Sequence, residues 1–463
     1  MKILILGAGQ VGATLAGSLV HENNDITVVD TNSRALAELA EHFDIATVCG
    51  KASHPSVLLK AGAKEAEMLI AVTASDEVNM VACEIARRLF KTPNRIARIR
   101  ASEYLDFPGL FTTEHMTIDT LISPEQAVTD HIRRLLGTPG ALQVLDFAGG
   151  LARLIGVRVR ANGLLAGHKL ADLRQHLPDV DVRVAAIYRK GGDSIKPEGG
   201  TRIEAGDEVF FIAERGDLER VMAEFQRVEG RYHRIVIAGG GNIGERLASA
   251  LEDSHSVTLL ELDAERARQL ASKLDHTLVL NGPASNRELL LEAGIPQADV
   301  FCAVTNDDEA NIMSSLLAKR LGVRKVITLI SNPAYADMMQ GSDIDVALSP
   351  QQITIGSILT ELRQNDVDDV IAVHSLRRGA AEAIEVIAHA NCRIAGRAIS
   401  ELKLPAGATI GAVVRTGTVV MGHDDVRIEP GDHVIVFVTD KQEIPEVERL
   451  FSRKRSLLQA LRS

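Results

Sequence analysis

A ten-residue run near the amino terminus, Ile3-Leu-Ile-Leu-Gly-Ala-Gly-Gln-Val-Gly12, returns 232 residues later as Ile235-Val-Ile-Ala-Gly-Gly-Gly-Asn-Ile-Gly244. Three further matches follow in the same order. Ile26-Thr-Val-Val-Asp30 returns as Val257-Thr-Leu-Leu-Glu261, Gly50-Lys-Ala-Ser53 as Gly282-Pro-Ala-Ser285, and Val72-Thr-Ala-Ser-Asp-Glu-Val-Asn79 as Val304-Thr-Asn-Asp-Asp-Glu-Ala-Asn311. Four matches in one order require a duplication, so the chain must adopt a fold that can be built twice. The later part of each copy repeats more faintly. Ile203-Glu-Ala-Gly-Asp207 is echoed by Ile428-Glu-Pro-Gly-Asp432, each followed by an apolar strand-like run and a charged helical segment.

The opening part of each copy alternates apolar β-like runs, such as 3–6, 26–29, 69–72 and 96–99, with helical patterns, which predicts a parallel sheet with helices on both faces. The closing parts mix short strands, a Gly-Asp turn and a terminal helix. The expected class is α/β, as two tandem units of a Rossmann-like parallel-sheet domain followed by a small α+β domain. The expected domains are 1–123, 144–228, 232–348 and 368–453. A length of 463 residues agrees, because single cores rarely grow beyond ~200 residues before splitting. Between the parts, Ser123-Pro-Glu-Gln126 and Ser349-Pro-Gln-Gln352 read as helix starts, with Ser as N-cap, Pro at the first helical position and Gln at the third. Val128, Ile132 and Leu135, and then Ile355, Ile358, Leu359 and Leu362, recur at helical spacing. Each of these crossover stripes needs a surface, in the same chain or in a second subunit.

A lone G-x-G-x-x-G motif is weak evidence, but here Gly7, Gly9 and Gly12 follow an apolar strand and open a helix, with Asp30 ending the next strand. In a dinucleotide site Gly7 permits the tight turn, Gly9 lets a pyrophosphate approach the backbone, and Gly12 allows close helix packing. Free N–H groups and the helix dipole then meet the negative charge. Asp30 can accept from both ribose hydroxyls and repels a 2′-phosphate, favouring NAD(H) over NADP(H), with Arg34 tempering that preference. In the second copy Gly239, Gly241, Gly244 and Glu261 keep the pattern, and Asp263 competes with Glu261 for the acidic role. The competing account of both loops is a tight strand-to-helix turn and nothing more. Thr73 and Thr305 fall at the carboxyl edge of the sheet, where a hydroxyl either reaches a ligand or serves a helix start, with Ser75 or Asn306 as the cap and Glu309 completing a box. Arg98, aligned with Thr328 of the second copy, is either a phosphate clamp or a surface ion pair.

Composition narrows the partners. The net charge is −11, aromatic residues are 3% and Trp is absent, so the chain repels phosphate backbones and offers few rings for base stacking. Nucleic acid is excluded on these grounds. The uncharged run from Ile3 to Val20 superficially resembles a leader, but its glycines read as strand, turn and helix. No other stretch approaches the ~20 apolar residues of a membrane span. Cys49, Cys83, Cys302 and Cys392 lie far apart and read as buried free thiols of a reducing compartment. No metal-ligand cluster or Walker lysine motif appears, and no acid or base stands out as partner to a nicotinamide. His54, His115 and His131 read as unremarkable surface histidines.

The duplicated layout, the glycine fingerprints at 7–12 and 239–244, the V-T-x-x-D-E-x-N segments and the S-P-x-Q helix starts together resemble the TrkA family of bacterial Trk potassium-uptake proteins, over essentially the whole chain. That resemblance implies a cytoplasmic protein of two tandem regulator-of-potassium-conductance (RCK) repeats. It further implies binding of NAD(H) and of adenine nucleotides such as ATP or ADP. The expected partner is a potassium-translocating membrane subunit, met as a ring of copies peripheral to the inner membrane. It implies nucleotide contact at Gly7, Ala8, Gly9, Gln10 and Val11, and at Asp30, Thr73, Ala74 and Arg98. In the second copy it implies contact at Gly239, Gly240, Gly241, Asn242, Ile243 and Glu261. The function expected is regulation without catalysis. Two alternatives stand beside it: an NAD-dependent oxidoreductase with an unrecognised catalytic residue, and a structural assembly module with vestigial fingerprints. The tail Arg453-Lys-Arg455, with Leu457, Leu458 and Leu461, is either a membrane or partner contact or a frayed end.

Overall fold

The computed structural model describes residues 1–20, 24–112, 115–116, 118–189, 194–227, 230–339, 342–366, 370–376 and 381–452. The tail from Arg453 onward lies outside the described residues. Two compact units form, one from Met1–Ala127 with Pro350–Glu361, the other from Val128–Ser349 with the described chain after Leu362.

The first unit is built on a six-stranded parallel sheet of order β3-β2-β1-β4-β5-β6. Its strands are β1 (Lys2–Leu6), β2 (Asp25–Asp30), β3 (Ala46–Cys49), β4 (Met68–Ala71), β5 (Asn94–Arg98) and β6 (Thr120–Ile122). The central strands are covered on both faces, so they read as unbroken apolar runs: Leu4, Ile5 and Leu6 of β1 and all of β4 are buried. The run from Ile3 to Val20 is β1 followed by the helix Gln10–Val20, whose Leu15, Ala16 and Leu19 pack inward. Strand order reverses between β1 and β4, and ligands of such sheets bind at that crevice.

The second unit holds three sheets. Antiparallel β7 (Ala141–Phe147), β8 (Ala152–Arg158), β9 (Val182–Tyr188), β10 (Ser194–Ile195) and β11 (Glu208–Glu214) take the order β10-β9-β11-β8-β7. Parallel β12 (Arg234–Ala238), β13 (Ser256–Glu261), β14 (Leu278–Asn281), β15 (Val300–Ala303), β16 (Lys325–Leu329) and β17 (Val346–Leu348) repeat the first sheet's order as β14-β13-β12-β15-β16-β17. Antiparallel β18 (Val370–Leu376), β19 (Ala381–Ile387), β20 (Ala408–Arg415), β21 (Thr418–Met421) and β22 (His433–Val438) repeat the small sheet as β18-β19-β22-β20-β21. The tandem α/β and α+β class is therefore the observed one.

The two small sheets share one core, and residues at equivalent places in equivalent strands meet there. Phe147, Leu154, Phe210 and Ile212 of the first stand with Leu376, Ala383, Ile435 and Phe437 of the second. The Phe210 and Phe437 rings lie 6.1 Å apart. Each Gly-Asp turn is fixed in the same way. The buried carboxylate of Asp207 accepts from the Glu204 N–H and from two guanidinium donors of Arg189, and Asp432 does the same with Glu429 and Arg415. The sequence pattern marks these turns but gives no hint of their arginines.

Both crossover helices bury their stripes within the chain. Val128, Ile132 and Leu135 of the helix Pro124–Leu136 are buried, as are Ile355, Ile358 and Leu359 of the helix Pro350–Asp366. The side chain at 362 lies outside the described residues. Ser123 Oγ accepts from the Gln126 N–H at 3.4 Å, as a cap there should. Two expectations need correction. Cys49 is exposed, because β3 is an edge strand, while Cys83, Cys302 and Cys392 are buried. His131 is not a surface residue but is buried near Arg134 and His374, and burial first, then those neighbours, pushes its pKa down to about 3. His54 and His115 are exposed.

Candidate nucleotide-binding site

The three glycines of each loop meet different demands. Gly7 and Gly239 adopt φ of 111° and 105°, a region L side chains rarely enter, and Cβ atoms there would crowd the backbone of Thr73 and Thr305 at 3.0–3.1 Å. At Gly12 and Gly244 a Cβ would lie 1.9 and 1.8 Å from the carbonyl oxygens of Gly7 and Gly239. The fold itself thus demands glycine at the first and third positions. It makes no such demand at Gly9 and Gly241, which lie outside the positive-φ region and where a Cβ would meet nothing within 4 Å. Both are exposed, at the start of the helices Gln10–Val20 and Asn242–Leu251, where free N–H groups point outward.

Asp30 and Glu261, each ending the second strand of its sheet, reach the same loops. Asp30 Oδ2 accepts from the Ala8 N–H at 2.6 Å and Oδ1 from the Asn32 N–H at 2.7 Å. Glu261 Oε2 accepts from the Gly240 N–H at 2.7 Å and Oε1 from the Asp263 N–H at 2.8 Å. The competition between Glu261 and Asp263 is resolved by capping: Asp263 accepts from the Arg266 N–H as N-cap of the helix Ala264–Lys273. A carboxylate has about four acceptor positions, so each keeps lone pairs for a ribose. The second loop is further braced. Arg266 Nε donates to the Gly240 carbonyl, and its guanidinium and Lys273 both pair with Glu245. The first copy has Ala13, Ala35 and His42 at the places of Glu245, Arg266 and Lys273, so it lacks that brace.

The V-T-x-x-D-E-x-N segment is a clamp across the carboxyl edge of the sheet. Asn79 is fully buried. Its Oδ1 accepts from the Thr73 N–H and hydroxyl at 3.0 and 2.7 Å, and its Nδ2 donates to the Arg98 carbonyl at 2.9 Å. Asp76 Oδ2 accepts from the Arg100 and Ala101 N–H groups, and Glu77 accepts from the Tyr104 hydroxyl. Every contact recurs in the second copy, where Asn311 holds Thr305 and the Leu329 carbonyl, Asp308 holds Ser331 and Asn332, and Glu309 holds Tyr335. The Thr73 and Thr305 hydroxyls are thus engaged in the turn, which also holds their backbones against Gly7 and Gly239. Ser75 caps the helix Asp76–Ile85 as read from sequence, but in the second copy Asp307, not Asn306, is the cap. Ala74 is exposed beside the clamp.

The alignment of Arg98 with Thr328 also needs correction. Asn79 binds the carbonyl 19 residues on, that of Arg98, whereas Asn311 binds the one 18 residues on, that of Leu329. The additional residue of the first copy is absorbed by a turn of π-helix, Ala86–Phe90, after the helix Asp76–Ile85. Arg98 therefore corresponds to Leu329, while Thr328 is buried and donates to Ser315. The Arg98 guanidinium is mostly buried and approaches Glu125 no closer than 3.9 Å, and its Nε has no hydrogen-bond partner. Burial lowers its pKa, with Glu125 acting the other way. An incompletely satisfied buried cation is an anion-seeking group.

Gly7 to Gly12, Asp30, Thr73 and the strand end at Arg98 are thus brought together, and Gly239 to Gly244, Glu261 and Thr305 likewise. Gln10 carries a contact that the sequence pattern did not foreshadow: its Oε1 accepts from Gln351 Nε2 at 2.5 Å. Among the described residues no group of three His, Cys, Asp or Glu side chains is placed to hold a metal ion, and no helix is long and apolar enough to cross a membrane.

The chain matches the TrkA-N domain family over 3–124 and 235–350, and the TrkA-C domain family over 154–226 and 383–452. It is 58% identical over 454 residues to the Trk system potassium uptake protein TrkA of Halomonas elongata, covering 97% of this chain and 98% of that one. It is 52% identical over 455 residues to the protein of the same name from Vibrio alginolyticus, with the same coverage. In fold it is similar to the GsuK RCK domain, with a TM-score of 0.61 at 19% identity over 97% of this chain and 94% of that one. It is also similar to the GsuK channel solved bound to NAD, with a TM-score of 0.60 at 18% identity over 97% of this chain and 78% of that one.

Proposed function

Because this chain belongs to the TrkA family, with TrkA-N and TrkA-C domains each present twice, we propose that it is a nucleotide-binding regulatory subunit of a Trk-type potassium uptake system. On this reading NAD(H), or an adenine nucleotide such as ATP or ADP, binds at the glycine loops and biases the conformation presented to a potassium-translocating membrane subunit. The chain works as a ring of copies at the cytoplasmic face of the inner membrane and makes or breaks no bonds. A coupling of ~1–3 kcal/mol between nucleotide and partner is enough to change an open fraction several-fold.

The observation that carries the ligand reading is the unexplained second glycine. Gly9 and Gly241 sit where the fold has room for a side chain, and a close-approaching pyrophosphate accounts for their identity. The acidic residues at 30 and 261 support a ribose contact, and the NAD-bound fold neighbour is consistent with it. The two sites are unequal on this reading. The first has Arg98 as a phosphate clamp, whereas the second has Leu329 in that place and a Glu245, Arg266 and Lys273 cluster at its loop.

The test is Gly9→Ala in the full chain, followed by calorimetric titration with NADH. The melting temperature is expected to stay within about 2 °C, since a cap substitution costs ~1 kcal/mol or less in a large domain. First-site affinity is expected to fall at least about tenfold, as a methyl blocks phosphate approach. Asp30→Ala is expected to weaken the same site. Unchanged affinity in both variants would remove the site assignment, and a substrate-dependent loss of NADH absorbance would replace regulation with oxidoreductase chemistry.

A further inference from the structure

We propose that Gln351, which belongs in sequence to the second repeat, completes the first nucleotide site by holding its carboxamide over the pyrophosphate-binding loop. Gln351 is only 8% exposed, and a buried amide is costly unless its hydrogen bonds are met. Its Nε2 donates to the side chain of Gln10, the residue that opens the helix Gln10–Val20 beside Gly9. A polar donor is thereby fixed next to the N–H groups that a pyrophosphate would meet.

Comparison of the copies gives this placement chemical meaning. The residue equivalent to Gln351 in the first S-P-x-Q segment is Glu125, which pairs with Arg98 and Arg100. In the second copy those arginines are Leu329 and Ser331, and the glutamate is a glutamine. The side chain that reaches the first loop is therefore the uncharged one. A carboxylate at 351 would face the phosphates with like charge, whereas an amide can donate to them. Asn242, the counterpart of Gln10, has a shorter side chain, so the two loops offer different reach to such a donor.

This inference rests on the nucleotide reading above, and the experiment separates the two. NADH and ADP are titrated calorimetrically into the full chain carrying Gly241→Ala to silence the second loop, with 351 as Gln, Ala or Glu. Gln351→Glu is expected to weaken binding about tenfold, the scale of one hydrogen bond to a charged group, and Gln351→Ala a few-fold. In parallel, hydrogen exchange of the unmodified chain is followed with and without saturating NADH. Amides of 350–356 are expected to slow together with those of 7–12. Unchanged affinity in both 351 variants, or protection at 7–12 without any at 350–356, overturns the role of Gln351 and leaves the first site standing. Binding indifferent to Gly9→Ala overturns the site and this inference with it.

Discussion

Asn79 and Asn311 are fully buried, and each joins the ends of two neighbouring strands through its side-chain amide. Replacing either with Ala leaves a backbone N–H and a strand-end carbonyl without their partner, at a cost of about 3 kcal/mol, while the threonine hydroxyl keeps its backbone contacts in the turn. Asn79→Ala is expected to lower the urea midpoint of the first unit only, and Asn311→Ala that of the second, as followed by hydrogen exchange in each sheet. A common shift of both units would show that the clamp is not local. At this scale the sequence announced the glycines and the acidic strand ends, because φ, close approach and charge restrict residue type. It could not announce that Asn79 binds a carbonyl, since a backbone acceptor leaves no trace in residue identity. Nor could it place Gln351 at Gln10, more than three hundred positions away.

Among the elements, the central parallel strands were legible because burial on both faces leaves them apolar runs, and the helix starts because Ser-Pro suits an N-terminus. The turn of π-helix at Ala86–Phe90 was not legible, and it is the reason Arg98 corresponds to Leu329 rather than to Thr328. The first crossover helix and β18 carry a pair of histidines whose chemistry depends on burial. Burial, followed by Arg134 and His374, holds His131 at about 3. Burial and Arg134 hold His374 at about 4, and its ring meets Phe147 edge-on at 5.2 Å. An unfolded histidine takes up its proton near pH 6.5, whereas these wait until pH 3–4. The unfolded chain therefore binds more protons across that window, and stability falls as pH drops below ~6.5, by about 2 kcal/mol per histidine at pH 5. Melting of the second unit is expected to shift downward between pH 7 and pH 5, and His374→Leu to flatten that dependence. A melting temperature independent of pH in this range would contradict the buried neutral state.

At the scale of the whole molecule, duplication has produced two parallel sheets of one order and two antiparallel sheets of one order, and the copies diverge in side chains while keeping that order. The shared core of the small sheets contains both Phe147 and Leu376, both Leu154 and Ala383, both Phe210 and Ile435, and both Ile212 and Phe437, each pair occupying one structural position twice. A surface that meets its own equivalent is self-complementary, the mark of a twofold interface between identical subunits. The covalent chain thus encloses what would otherwise be a homodimer contact. A single repeat, residues 1–230, produced alone would expose Phe147, Phe210 and Ile212, and is expected to associate in pairs in analytical ultracentrifugation. Phe210→Asp should return it to monomers. A wild-type single repeat that stays monomeric at tens of micromolar would show that the pairing depends on fusion. If it pairs, the fused gene is an obligate dimer written as one polypeptide, free to let its two halves diverge where a homodimer must keep them identical.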